Sequence, residues 1–315
     1  MRHVATRLAP HVLRTPTVAW PSRIPANIAG LHVKLECLQH TGSFKLRGAL
    51  NCMLEQKQLD STSLERGVVA FSAGNHAIAT AWSGRALNAP VKVVMPAAAD
   101  PTRIQRCREL GAEVVFGQSI EELMARVDEI RALEGRVLVH PFEGVPTIEG
   151  TACVGLEICD DVPALDTLIV PIGGGGLIAG IASAVTHLQP GCQVIGVEPE
   201  GAQGMTASLA NGAPLARVSV DTIADSLGAP LHLPVSYSLV ERHVSRVVRV
   251  SDESLRVAMR QLADDMKLMV EPACAAALAA LQGPLGTELS GRRVAILACG
   301  SNIGLERWWR LACPA

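Results

Sequence analysis

Three segments of this 315-residue chain combine residue types and spacing that could do chemistry. The first, KLECLQHTGSFKLRGALN (residues 34–51), places Lys45 where a strand pattern gives way to a helical one that begins between residues 41 and 45. A cation is out of place there, because the macrodipole favours anions at a helix N-terminus and capping preferences put Asp or Glu in the first turn. An amine held against exposed backbone N–H groups has a lowered pKa, which suits a nucleophile that must spend time neutral. A solvated lysine at a fraying helix end has the same local pattern. The second segment, FSAGNH (71–76), offers backbone N–H groups and small polar side chains at another strand-to-helix junction. That is an anion site or an ordinary helix cap. In the third, PIGGGGLIAG (171–180), four consecutive glycines leave the backbone free to wrap a phosphate or to pack tightly. No Gly-Lys-Ser/Thr follows, so it is not a Walker loop, and no acidic residue stands at the dinucleotide-binding distance before Glu198.

Elements of two kinds must position these segments. Short runs rich in Val and Ile read as strands at 32–36, 68–72, 91–95, 113–116, 137–140, 168–172, 193–197, 246–250 and 293–298. Helical patterns lie between them at 76–87, 119–133 (opened by the capping box Ser119/Glu122), 178–187 and 252–266. The alternation predicts an α/β fold with mainly parallel sheets, without repeats or a low-complexity linker.

Composition narrows the function classes. Lys plus Arg number 28 against 30 Asp plus Glu, a net charge of −2 with no basic stripe, which argues against a nucleic-acid partner. Charged residues make up 18% and apolar ones 49%, the balance of a compact chain and not of a disordered tail. Aromatics are only 3%, so Val, Ile, Leu and Ala must fill the core, as in parallel sheets. The nine cysteines never fall in CxxC spacing, which predicts reduced thiols, a cytoplasmic setting and no zinc site. The N-terminus lacks a signal-peptide run. Residues 167–197 contain no charge, but Pro171 and the glycine run favour strand, turn and helix over a membrane span.

A phosphate cradle, a reactive amine and a second anion subsite together fit a phosphate-bearing aldehyde cofactor. KLECLQHTGSFKLRGA, SAGNHA, PIGGGGL, GVEPEGA, TIADSLGAP, VEPACAA and ACGSN, in this order, resemble the fold-type II pyridoxal-phosphate enzymes of the serine/threonine dehydratase and serine racemase family. The resemblance runs from about residue 15 to 302. It implies two open, mainly parallel twisted sheets flanked by helices, as in the tryptophan synthase β type. A large domain of residues 1–66 and 145–315 would bind the cofactor, with a small mobile domain at 67–144 and no C-terminal regulatory domain.

By the same resemblance, Lys45 forms the covalent imine with pyridoxal 5'-phosphate and Phe44 packs beside the ring. Gly173, Gly174, Gly175, Gly176 and Leu177 form the phosphate loop, Asn75 meets the ring hydroxyl, and Glu271 stands near the ring. Cys299 occupies the place, usually a serine, that faces the pyridine nitrogen. Ser72, Ala73, Gly74, Asn75 and His76 take the substrate carboxylate, while Pro146 and residues 227–229 are candidates for contacts to its side chain. Lys45 then takes the Cα proton, the β-hydroxyl leaves, and the product hydrolyses to a 2-oxo acid and ammonia.

Departures from the family refine this reading. Racemase-like members bind a divalent ion at positions corresponding to Glu198, Ala202 and Gly204; without an Asp at 204, no metal is expected. Racemases also carry a serine where Ala73 stands, so elimination is expected over racemisation. Thr151-Ala152-Cys153 replaces a common Gln-Gly-Thr. His140, Arg47 and Trp82 read as a strand-end cap, a helix-face ion pair and core packing. The expected activity is conversion of L-threonine or L-serine to 2-oxobutanoate or pyruvate plus ammonia. The alternative is another β-hydroxy amino acid, such as 3-hydroxyaspartate, phenylserine or a hydroxyectoine-derived substrate. A small-molecule substrate, no membrane partner and a homodimer or homotetramer complete the expectation.

Overall fold

In the computed structural model, which describes residues 1–21 and 28–314, helices and strands alternate along the chain. The first half runs α1 (Arg2–Leu8), β1 (Thr17–Ala19), β2 (Gly30–Lys34), α2 (Lys45–Leu59), β3 (Val68–Phe71), α3 (Asn75–Leu87), β4 (Val91–Pro96), α4 (Pro101–Glu109), β5 (Glu113–Gly117), α5 (Ile120–Glu134) and β6 (Val137–Leu138). The second half runs α6 (Val145–Asp161), β7 (Thr167–Pro171), α7 (Gly176–Leu188), β8 (Gln193–Pro199), α8 (Gly204–Asn211), α9 (Pro234–His243), β9 (Arg246–Val250), α10 (Asp252–Met266), α11 (Pro272–Gln282), β10 (Arg293–Leu297) and α12 (Leu305–Ala312).

Two sheets result. The larger has the order β1-β2-β10-β7-β8-β9 and the smaller β5-β4-β3-β6. Every pairing is parallel except β1 with β2. Parallel strands covered by helices on both faces need continuous apolar runs, and β7 is buried at all five positions. One large core packs around the six-stranded sheet, and a second around α2, α3 and the smaller sheet.

Local signals explain where several elements begin. Ser119 caps α5 through its side chain, as the Ser119/Glu122 pair predicts, and Ser251 caps α10 in the same way. The expected strand at 32–36 lies two residues earlier, at Gly30–Lys34, because the chain turns into a short 3-10 helix at Glu36–Leu38. Several helices lie outside the patterns noted from the sequence, α6 and α11 among them. Both are buried on nearly all sides, so no polar face marks a period of 3.6.

Sheet order decides where the chemistry goes. β3 lies between β4 and β6, and β7 between β8 and β10, so the strand order reverses at each. Loops beyond the carboxyl ends of strands at such switch points form the natural crevices of open α/β sheets. The Ser72–His76 turn follows β3 and the glycine run follows β7.

Candidate active site

One cavity of about 230 Å³ gathers the three sequence segments. Its lining includes Phe44, Lys45, Ser72, Ala73, Gly74, Asn75, His76, all four glycines of 173–176, Leu177, Glu271 and Cys299. Every residue assigned from the resemblance to the cofactor or to the substrate carboxylate therefore lines a single space. Of the side-chain candidates, residues 227–229 line it and Pro146 does not. The Pro146 carbonyl instead accepts from the Asn51 amide at 2.7 Å.

Lys45 is the first residue of α2, as the helix pattern indicates. Its Nζ donates to the Pro141 carbonyl at 2.6 Å and lies 5.2 Å from the Phe44 ring centroid. Its pKa is lowered to about 8, but the helix start is not the main reason: burial strips the ammonium of water, while Cys299 and Glu271 pull the value part of the way back. The cofactor-free protein thus carries a charge penalty at Lys45. Between about pH 8 and the unfolded value of roughly 10.4, the unfolded chain binds more protons, so stability rises with pH across that window. We expect Lys45→Met to stabilise the cofactor-free protein by up to about 3 kcal/mol at pH 7, with the gain fading as pH approaches 10.4. Urea unfolding at pH 7 and 9.5 measures it; an unchanged midpoint at pH 7 refutes the buried amine.

The glycine run leads into α7, whose first-turn N–H groups have no intrahelical partner. Gly175 has φ +95°, a conformation that side chains rarely adopt. A Cβ on Gly174 would lie 2.3 Å from the Phe142 ring, and one on Gly176 would lie 2.2 Å from the Phe142 carbonyl oxygen. The bare backbone is therefore required by close approach and leaves N–H groups for an anion. Thr151 supports the loop from behind, its hydroxyl 2.8 Å from the Gly176 carbonyl and 2.8 Å from that of Ile148.

Around Glu271 the chain builds a hub that spacing alone did not reveal. Its carboxylate, 1% exposed, accepts from Asn75 Nδ2 (2.9 and 3.0 Å), Ser226 Oγ (2.7 Å), the Asn302 backbone N–H (2.8 Å) and Arg103 Nη2 (3.3 Å). Asn302 Nδ2 in turn donates to Asn75 Oδ1 at 2.6 Å, which fixes the orientation of that amide. Ser226 and Asn302 belong to TIADSLGAP and ACGSN, so their motifs were visible but their roles were not. Arg103 had no local signal at all.

The histidines of the site are neutral. His76 donates from Nε2 to the Val139 carbonyl at 2.8 Å, and burial with the nearby Lys45 charge pushes its pKa down to about 3. His140 lies just past β6 and caps the following turn, its Nδ1 accepting from the N–H groups of Phe142 and Glu143. Burial, then Lys45, lowers it to about 4. Arg47 makes the expected ion pair from α2, but in the interior: at 1% exposure it bridges Glu36 and Glu157 and ties α2 to α6. Trp82 packs on the second core and stacks on His40 at 5.4 Å.

At the metal positions of racemase-like relatives, Glu198 is already engaged. It accepts from the Met205 and Thr206 N–H groups and from Thr206 Oγ1, capping α8. A side chain at Gly204 would meet His232 Nε2 at 2.6 Å and Val218 at 2.8 Å. We expect assays in metal-free buffer with a strong chelator to keep most activity; a large loss restored by Mg²⁺ or Ca²⁺ would overturn this. No group of three or more His, Cys, Asp or Glu among the described residues could hold a metal, and no described helix is long and apolar enough to cross a membrane.

A bare-backbone glycine cradle at a helix N-terminus and an amine of lowered pKa facing the same cavity fit a phosphorylated aldehyde cofactor. The model of the family "Pyridoxal-phosphate dependent enzyme" matches residues 8–300, and the chain belongs to this family. It is an enzyme of the ammonia-lyase or dehydratase type. Among its relatives, a phenylserine dehydratase of Ralstonia pickettii is 48% identical over 296 residues, 94% of this chain and 90% of the relative. The catabolic L-threonine dehydratase of Escherichia coli is 38% identical over 88% of this chain and 84% of its own. The structure of maize serine racemase superposes with a TM-score of 0.89 at 32% identity, covering 98% of this chain and 94% of that one.

Proposed function

We propose that this enzyme eliminates water from β-hydroxy amino acids with an apolar, aryl-sized β-substituent, phenylserine being the type substrate. The carrying observation is the apolar wall of the cavity, to which Phe71, Pro96, Ile120, Leu123, Leu227 and Pro230 contribute. The 48% identity to a phenylserine dehydratase supports the same choice over threonine or serine. An acidic or cationic β-substituent, as in 3-hydroxyaspartate, finds no free counter-charge on that wall.

Pyridoxal phosphate, when bound, supplies the electron sink for loss of the Cα proton. The glycine turn would hold its phosphate, and Asn75, fixed by Glu271 and Asn302, would stand beside the ring. Cys299 lines the cavity where the pyridine nitrogen would lie, and as a weak donor it would hold that nitrogen only loosely to a proton. The Ser72–His76 turn orients the carboxylate, and Lys45 Nζ accepts the proton. In this reading the smaller sheet with its helices is the mobile domain, and the enzyme works as a cytoplasmic homodimer or homotetramer.

The test is a panel of β-hydroxy amino acids assayed for 2-oxo acid release. Burying a phenyl group in place of a methyl is worth roughly 1.5–3 kcal/mol, so kcat/KM for L-phenylserine should exceed that for L-threonine by about 10- to 100-fold. Threonine or serine as the better substrate refutes the assignment. Chiral analysis of residual substrate should show negligible racemisation, because the Ala73 methyl cannot return a proton to the face opposite Lys45. Substantial D-isomer would contradict the elimination-only role.

A further inference from the structure

Apart from Lys45, the cationic side chain among the described residues lining the cavity is Arg103, and its surroundings give it a task that no motif indicates. It comes from α4, beside the smaller sheet, and is 5% exposed. All three of its bonds reach residues far along the chain: Nε to the Asn302 carbonyl (3.0 Å), Nη1 to Asp225 (3.0 Å) and Nη2 to Glu271 (3.3 Å). The guanidinium lies against Gly74, where an added Cβ would stand 2.8 Å from Nη1 and 3.1 Å from Cζ. It thus borders the Ser72–His76 turn.

The charge balance at that turn is unfavourable to an anion without it. Asp225 and Glu271 both line the cavity and both carry carboxylates. Arg103 pairs with both at once, while Arg307 shares Asp225 from outside at 3.0 Å. Remove Arg103, and a substrate carboxylate docking at Ser72–His76 faces two negative groups with fewer counter-charges in a poorly solvated space.

We infer that Arg103 is the positioning residue that makes the Ser72–His76 turn receptive to the substrate's carboxylate, by neutralising Glu271 and Asp225 and bracing Gly74. This rests on the reading above in one respect, that the turn is where the carboxylate docks. It does not depend on which β-substituent the enzyme prefers.

The experiment uses the holoenzyme and unreactive ligands without a β-hydroxyl, read by the absorbance change of bound pyridoxal phosphate. L-Phenylalanine is compared with L-phenylalaninamide, and L-alanine with L-alaninamide, in the unmutated protein and in variants. Each acid-to-amide affinity ratio is measured within one protein, so partial misfolding cancels, as does the different basicity of acid and amide amines between variants. Arg103→Met should weaken acid binding roughly 10- to 100-fold relative to amide binding. Asp225→Asn, which removes one of the negative groups, should shift the ratio in the opposite direction, and its addition to Arg103→Met should recover part of the loss. Equal weakening of acid and amide in Arg103→Met would reduce Arg103 to a structural tie and overturn the inference, as would an unchanged ratio in both single variants. If the phenyl pair binds no better than the alanine pair while the ratios shift as stated, the aryl reading fails and the role of Arg103 stands.

Discussion

Lys45→Ala should turn over β-hydroxy amino acids at least about 1000-fold more slowly, and borohydride should no longer fix pyridoxal phosphate to the chain. A positioned proton acceptor contributes about 10²- to 10⁴-fold, and here the same amine also holds the cofactor. Geometry supports the size of the effect. Nζ lies at the bottom of α2 against the Pro141 carbonyl, beside Phe44, and both neighbouring imidazoles are neutral and occupied. Neither His76 nor His140 can replace it as a base: burial and the Lys45 charge push His76 down to about 3 and His140 to about 4, and the accepting Nδ1 of His140 is already held by two backbone N–H groups. Burial prepares the amine: with a pKa of about 8, about a tenth is neutral at pH 7, against about 0.04% at the ordinary lysine value. A borohydride-stable adduct on a different lysine, or turnover retained in the variant, sinks the assignment.

Gly176→Ala should cost the second-largest loss, at least about 100-fold in retention of pyridoxal phosphate. Its added methyl would sit 2.2 Å from a backbone oxygen, that of Phe142, and a carbonyl cannot swing aside as a side-chain end can. The first turn of α7 must then shift, and the N–H groups that hold the phosphate shift with it. Gly174→Val should be milder than its position suggests, because the atoms it meets belong to the Phe142 ring, which has some freedom to move. Equilibrium dialysis of the cofactor, with circular dichroism to confirm folding, ranks the two variants. Unchanged retention in a folded Gly176→Ala protein would remove the glycine run from the phosphate site.

Both predictions concern segments whose chemistry was legible before any coordinates. A lysine where a helix begins, a Ser-Ala-Gly-Asn turn and four glycines after an apolar strand announce themselves because small, local conformational rules constrain them. Some elements with one wet face are legible for the same reason, although the two-sided α4 and α12 are not singled out. The expected strand at 246–250 and helix at 252–266 coincide with β9 and α10, and α10 buries Leu255, Ala258, Met259 and Leu262 along one face. Where that contrast disappears, so does the signal. α6 and α11, buried nearly all round, carry no such contrast, and the strand expected at 32–36 ends at Lys34 because the chain turns into a 3-10 helix at Glu36–Leu38.

Only the tertiary structure decided which of these residues meet. Asn75, Arg103, Ser226 and Asn302 converge on Glu271 from sequence separations of up to 196 residues, and nothing in their local spacing requires it. They come from separate connections: Asn75 opens α3 after β3, Arg103 lies on α4 after β4, Ser226 precedes α9 and Asn302 follows β10, so only the packing of these loops brings them to Glu271. The low pKa of Lys45 shows the same division. Its place at a helix start is written in the sequence, but the dominant cause of the shift is burial, a property of everything packed around it. Local pattern reports how each segment meets water, whereas a site is made by which segments exclude water together, and that depends on the order of strands in two sheets.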